Sequence, residues 1–198
     1  MAGLAAWNAR LCAAVSLVSA LLGCAPAAGP APHATLTERN ARTVLEPSRL
    51  GWVSSERPSG ALPSAIALGG KASGRVLVYL EFAAQSSERR LLRAELVLSA
   101  TGVSGEAVEV ELSRAEAARG ELRAWSDQPR PLYPRLTAQL STQAVPLRLD
   151  VTELLRGETK PGDPLRLLLR AEPGSGEPVL LETGAAGGAP PRLEAYWE

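Results

Sequence analysis

Residues 75–100 read RVLVYLEF, AAQSSERR, LLRAELVLSA in three consecutive runs, and their alternation decides the fold class. In the first run Val76, Val78, Leu80 and Phe82 fall on one face of an extended chain, and Leu77 and Tyr79 on the other. A strand that is apolar on both faces is expected to be covered on both sides. In the third run Leu92, Ala94, Leu96 and Leu98 point one way, and Arg93, Glu95 and Ser99 the other. That is the period-two pattern of a half-buried strand. The polar run between them is a strand connection.

The same theme of short apolar strand and polar turn extends in both directions. Upstream, residues 44–54 form a first strand interrupted at Glu46-Pro47-Ser48, and residues 54–60 form a turn broken by Pro58 and Gly60. Ala65 to Leu68 is a short strand closed by Gly69-Gly70. Downstream, Glu106 to Ser113 alternates, with Val108, Val110 and Leu112 inward and Glu109 and Glu111 on a solvated face. Residues 114–120 are compatible with one helical turn closed by Gly120. Residues 125–136, with Pro129, Pro131 and Pro134, read as a loop. Pro146 to Asp150 is a strand with Leu147 and Leu149 inward. Asp150-Val151-Thr152-Glu153 resembles a capping box and predicts a short helix over 151–156, ended by Gly157. Residues 160–164 are a tight turn, and strands at 165–171, 178–182 and 192–197 complete the chain. Nine or ten short strands with turns every eight to twelve residues predict an all-β antiparallel sandwich or barrel. Strand–helix alternation is absent, which excludes a parallel α/β sheet.

The N-terminal segment stands outside this pattern. Residues 1–10 carry one positive charge and no acid, and residues 11–22 are apolar but shorter than a membrane span. The run ends in Leu21-Leu22-Gly23-Cys24, which resembles the lipobox of bacterial lipoproteins. That resemblance implies a leader over 1–23 and acyl chains on Cys24. Several chains anchor stably, at about 0.8 kcal/mol per buried methylene. Residues 24–43 are rich in Pro and Ala and read as a tether, with 44–198 as the folded module. The implied location is the bacterial envelope, as an outer-membrane lipoprotein.

Composition narrows the chemistry. The 21 basic and 21 acidic residues balance, so nothing points to an electrostatic grip on nucleic acid. Cys12 lies in the leader, so past Cys24 there is no disulfide partner. The one histidine, His33, sits in the tether with no fixed partner. A nucleophile–His site is therefore not expected, nor is a zinc site. Three Asp, none clustered, give no calcium loop, although a weak site built on backbone carbonyls stays open. The eighteen Glu give no specific glycosidase pair. No cofactor, metal or catalytic residue is expected, and the protein is read as a non-enzyme.

The order of segments resembles the DNRLRE-type domain, which is similar to the family-96 carbohydrate-binding modules. The segments are the Arg-led strand Arg75 to Phe82; Ala94, Leu96 and Leu98; Trp125-Ser126-Asp127; Asp150-Val151-Thr152 followed by Leu154-Leu155; and Pro191-Arg192-Leu193 with Tyr196-Trp197. They span nearly all of 44–198. Leu132 and Tyr133 stand where the family usually has a second Trp, and the eponymous six-letter motif is not present. The resemblance implies a jelly-roll β-sandwich with one short helix, acting as a non-catalytic binding module for an envelope or extracellular polysaccharide. The alternative is a structural or adaptor lipoprotein that docks another envelope protein through a sheet face or edge. If there is a binding site, the stretch Trp125 to Leu136 is the expected place, through Arg130, Tyr133 and Arg135, with Trp125 mainly an inward anchor. Arg can bridge a uronate carboxylate, and Tyr can stack on a sugar ring. The competing reading is a strand connection whose prolines protect an edge.

Overall fold

The computed structural model describes residues 41–71, 73–84, 90–101, 107–141, 146–156 and 162–198. The expected leader, the expected tether up to residue 40, Cys24 and His33 lie outside the described residues, as do Gly157, Lys160 and Pro161. Along the described chain run β1 (Ala41–Leu45), β2 (Pro47–Ser54), β3 (Ala65–Leu68), β4 (Val76–Phe82), β5 (Leu91–Leu98), β6 (Ala100–Thr101) and β7 (Val108–Ala115). A 3-10 turn (Trp125–Asp127) follows, then β8 (Pro131–Leu140), β9 (Leu147–Asp150), the helix α1 (Thr152–Leu155), β10 (Leu165–Ala171), β11 (Val179–Glu182) and β12 (Arg192–Trp197).

The strands form antiparallel sheets in the orders β1-β12-β5-β9, β2-β4-β10-β7-β8 and β3-β11-β6. The four- and five-stranded sheets share one core. Val78, Leu80 and Phe82 of β4 and Leu112 of β7 join Leu96 and Leu98 of β5 and Leu193 of β12 in a single cluster. Two sheets with one apolar filling are the two layers of a β-sandwich. The helix α1 touches β5 of one layer and β7 and β8 of the other, with Leu154 and Leu155 buried. These strands and their core close among residues 41–198.

Alternation places most of the core as expected. Leu77 and Tyr79 are also buried, so β4 is covered on both faces. They belong to a second, smaller cluster with Val53, Ala115, Leu122 and Leu168.

Several expectations are corrected. The interruption at residues 46–48 is a change of sheet: β1 pairs with β12, and β2 pairs with β4. The first strand starts at Ala41, three residues ahead of the expected boundary at 44. Residues 114–120 make no helical turn. β7 runs on to Ala115, whose side chain packs into the second cluster, and Gly120 takes φ +117°. The proline-rich loop expected at 125–136 is a 3-10 turn followed by the first half of β8. β8 is an edge strand, so Pro131 and Pro134 need no partner for a missing N–H. In β5 the inward position belongs to Leu91, not Leu92, because the register with β12 slips between Tyr196 and Trp197.

The start of α1 follows the expectation in part. Asp150 Oδ1 accepts the backbone N–H of Thr152 at 2.9 Å, but Glu153 turns away and pairs with Arg156 at 3.0 Å. Thr152 Oγ1 accepts the buried N–H of Ala94 at 2.9 Å and thereby ties α1 to β5.

Candidate functional site

The outer face of the five-stranded sheet has two halves. Segment 116–129 lies over one of them and buries Leu122 against Val53, Leu77, Tyr79 and Leu168. Gly51 of β2 is part of this fit, since a Cβ there would lie 3.0 Å from Leu122 Cδ1.

A polar clamp holds the cover down. Tyr79 Oη donates to Glu81 Oε2 at 2.5 Å, and Arg166 Nε donates to the same oxygen at 2.9 Å. Arg49 lies 5.6 Å over the Tyr79 ring and donates to the carbonyls of Ala118 and Gly120. Burial, helped by the bond to Glu81, pushes the Tyr79 hydroxyl up to about 12. Burial opposes ionisation of Glu81, but the bonds from Tyr79 and Arg166 outweigh it and hold that carboxyl below its ordinary value.

The other half of the face is open and carries the candidate site. Trp125 sits at the edge of the cover, half-buried against the second cluster. The Arg170 guanidinium lies 5.8 Å from its ring and donates to Gln128 Oε1 at 3.1 Å. Arg170 of β10 is directly opposite Glu111 of β7. Glu111 in turn accepts from Arg135 of β8 at 3.2 Å through both oxygens. The Arg135 guanidinium stacks 4.9 Å from the Tyr133 ring. Trp125, Arg170, Glu111, Arg135 and Tyr133 thus form one row across three strands, with aromatic rings at both ends. Tyr133 is 74% exposed. The register of β8 with β7 slips at this point, which leaves Tyr133 and Pro134 without partners in the ladder. That slip is what turns Tyr133 out of the sheet.

Beside the row opens a cleft of about 620 Å³, lined by Glu109, Glu111, Thr137, Arg170, Glu172 and the turn 173–177. The turn is held by the Gly174 N–H donating to the Gly69 carbonyl at 2.6 Å. A Cβ at residue 174 would lie 2.4 Å from that oxygen, so only glycine fits. Glu172 pairs with Arg75 at 3.0 Å, and Glu109 accepts from Gln139 at 3.3 Å. Among the described residues no group of three or more His, Cys, Asp or Glu is placed to hold a metal ion.

Of the residues the sequence singled out, Trp125, Tyr133 and Arg135 come together. Arg130 does not join them: its side chain is exposed, and its carbonyl accepts the Glu116 N–H at 3.0 Å. Asp127 serves the local turn, accepting the N–H groups of Arg123 and Ala124 at 3.0 and 2.9 Å. Those backbone bonds keep its carboxyl below the ordinary range. Sequence reading missed Arg170 and Glu111 as members of the site. The signal available was their position on the face opposite the main core, with no hint of which loop would leave them open.

No protein-family model matches this chain, and no curated protein does.

The row therefore speaks through its chemistry. It offers one exposed ring face, guanidinium donors beside it and carboxylate acceptors along the cleft. These are the groups that stack on a pyranose ring and exchange hydrogen bonds with its hydroxyls.

Proposed function

We propose that this chain is a lipid-anchored envelope lipoprotein whose non-catalytic β-sandwich binds a polysaccharide across the open half of the five-stranded sheet. The observation that carries the reading is Tyr133, 74% exposed, backed by Arg135 and in line with Arg170 and Trp125. An aromatic ring held rigid in water by its neighbours loses little freedom when a sugar stacks on it. The cleft beside the row, about 620 Å³, extends the site beyond the single stacking ring, which suits a polymer.

Other features support parts of this reading. The leader ending in Leu-Leu-Gly-Cys24 supports the anchor. The segment order shared with the DNRLRE-type domain supports a binding module. The sheet orders β1-β12-β5-β9 and β4-β10-β7-β8, with β2 added at one edge, support the jelly-roll part of the reading. Against the adaptor alternative, the exposed large apolar residues among those described, Val44, Tyr133 and Leu180, belong to three different sheets.

The experiment is a glycan-array screen of residues 25–198, followed by titration of any hit. Tyr133→Ala with Arg135→Ala is expected to weaken binding about tenfold or more, since a stacked ring contributes roughly 0.5–1.5 kcal/mol and a charged hydrogen bond about 1.5–3 kcal/mol. Arg130→Ala is expected to change little. Equal binding by wild type and double variant, at an unchanged melting temperature, removes the row as the site. For the anchor, Cys24→Ser in the full chain is expected to abolish detergent-sensitive membrane fractionation.

A further inference from the structure

The outer face of the four-stranded sheet carries a second constellation, unrelated to the row above. Strand register arranges it in three lines. Arg42, Tyr196 and Arg93 lie side by side across β1, β12 and β5. Below them lie Val44, Glu194, Glu95 and Asp150, and then Arg192, Val97 and Arg148. An acidic line is thus flanked by two cationic ones. Directly opposed Glu194 and Glu95 would repel each other if left alone.

The arginines resolve this by folding over the carboxylates. Glu194 accepts from Arg148 at 2.9 Å, Arg42 at 3.0 Å and Arg192 at 3.3 Å. Glu95 accepts from Arg93 at 2.6 Å and Arg148 at 2.9 Å. The Glu194 side chain is 1% exposed, whereas those of Arg42, Arg93 and Arg148 are 52%, 60% and 42% exposed. Charge is therefore layered by depth, with the negative groups in the sheet plane and the positive ones above it. Each guanidinium has five N–H donors, more than its bonds to the glutamates use.

We propose that this face rests on an anionic lipid surface. Its positive layer is complementary to negative headgroups. The Arg42, Arg148 and Arg192 guanidinium groups converge on Glu194, and Arg93 joins Arg148 on Glu95, so the four form one compact cationic cluster over the two carboxylates. Val44, 47% exposed, and the half-buried Tyr196 add an apolar edge and an aromatic ring of the kind that settles at a headgroup boundary.

The test is co-sedimentation of residues 25–198 with vesicles of phosphatidylcholine containing one-third phosphatidylglycerol, against pure phosphatidylcholine, at low and physiological salt. Binding is expected on the anionic vesicles alone and to weaken as salt is raised. Arg42→Gln with Arg93→Gln is expected to weaken it about 25-fold, from about fivefold per arginine at such a surface. Arg42→Lys with Arg93→Lys is expected to retain most of it. Val44 makes none of the ion pairs itself; Val44→Glu keeps all four arginines, adds a negative charge to the face and is expected to abolish binding, which gives a second variant if the Gln pair fails to fold. Tyr133→Ala is expected to have no effect, so this face and the sugar-binding row fail or succeed separately. Equal binding to neutral vesicles, no binding to anionic ones, or an unchanged Val44→Glu variant each overturns the proposal. So does a Lys pair as weak as the Gln pair with retention on a soluble polyanion, because that reports paired hydrogen bonding to a polymer.

Discussion

Glu194 shows how one side chain's chemistry is set by residues far away in sequence. The hydrogen bond from Arg148, joined by those from Arg192 and Arg42, outweighs burial and takes its carboxyl from the ordinary 4.5 down to about 2. A carboxyl depressed in the folded state stabilises that state when ionised. Its contribution is fully present above 4.5 and is lost as pH falls toward 2. Glu194→Gln keeps the shape and removes the charge. It is expected to cost about 1.5 kcal/mol at neutral pH, the low end for a charged hydrogen bond because the arginines are partly in water. Melting curves across the acid range check this. The variant should lose less stability than wild type between 4.5 and 2, and parallel curves would contradict the assignment.

Among the elements, the cover over residues 116–129 is the least self-sufficient. It contains only a short 3-10 turn, and Leu122 is its principal buried side chain. Leu122→Ala is expected to destabilise the domain by about 2 kcal/mol, the low end for a buried leucine because the cluster is small. Hydrogen exchange should localise the change. The N–H groups of Ser59 and Asp127, bonded to the Arg123 and Ala124 carbonyls, should exchange faster, while those of β4 stay slow. Uniform acceleration across both would mean that the cover is not a separate unit.

At this scale the sequence was readable wherever a strand is specified by its own alternation. β4, β10 and β12 lie where Val76 to Phe82, Leu165 to Ala171 and Arg192 to Trp197 place them. What stayed hidden depends on partners. Leu92 yields its inward place to Leu91 only because the β12 register slips opposite it. Pro131 and Pro134 read as loop residues until β8 is known to be an edge. Tyr133 and Arg135, two residues apart, were legible as a pair. Glu111 and Arg170 became part of the site through cross-strand register, and Glu95 became buried through arginines at residues 93 and 148.

Across the whole molecule, the latest strand in sequence is an inner one. β12 lies between β1 and β5, and its Leu193 is in the core. Removing residues 191–198 strips the partner from both neighbours and opens the core along one layer. Such a chain is expected to lack a cooperative melting transition and to be cut rapidly by protease. A truncated form that melts cooperatively near the wild-type temperature would show that β5 and β9 can hold the layer without it.

The position of β12 also sets a schedule. Synthesis proceeds from the N-terminus, and β1 waits for a partner about 150 residues downstream. Until Trp197 has left the ribosome, the four-stranded layer cannot close over the other. Closure of that layer is thus a late event, set by strand order and not by the strength of any one strand.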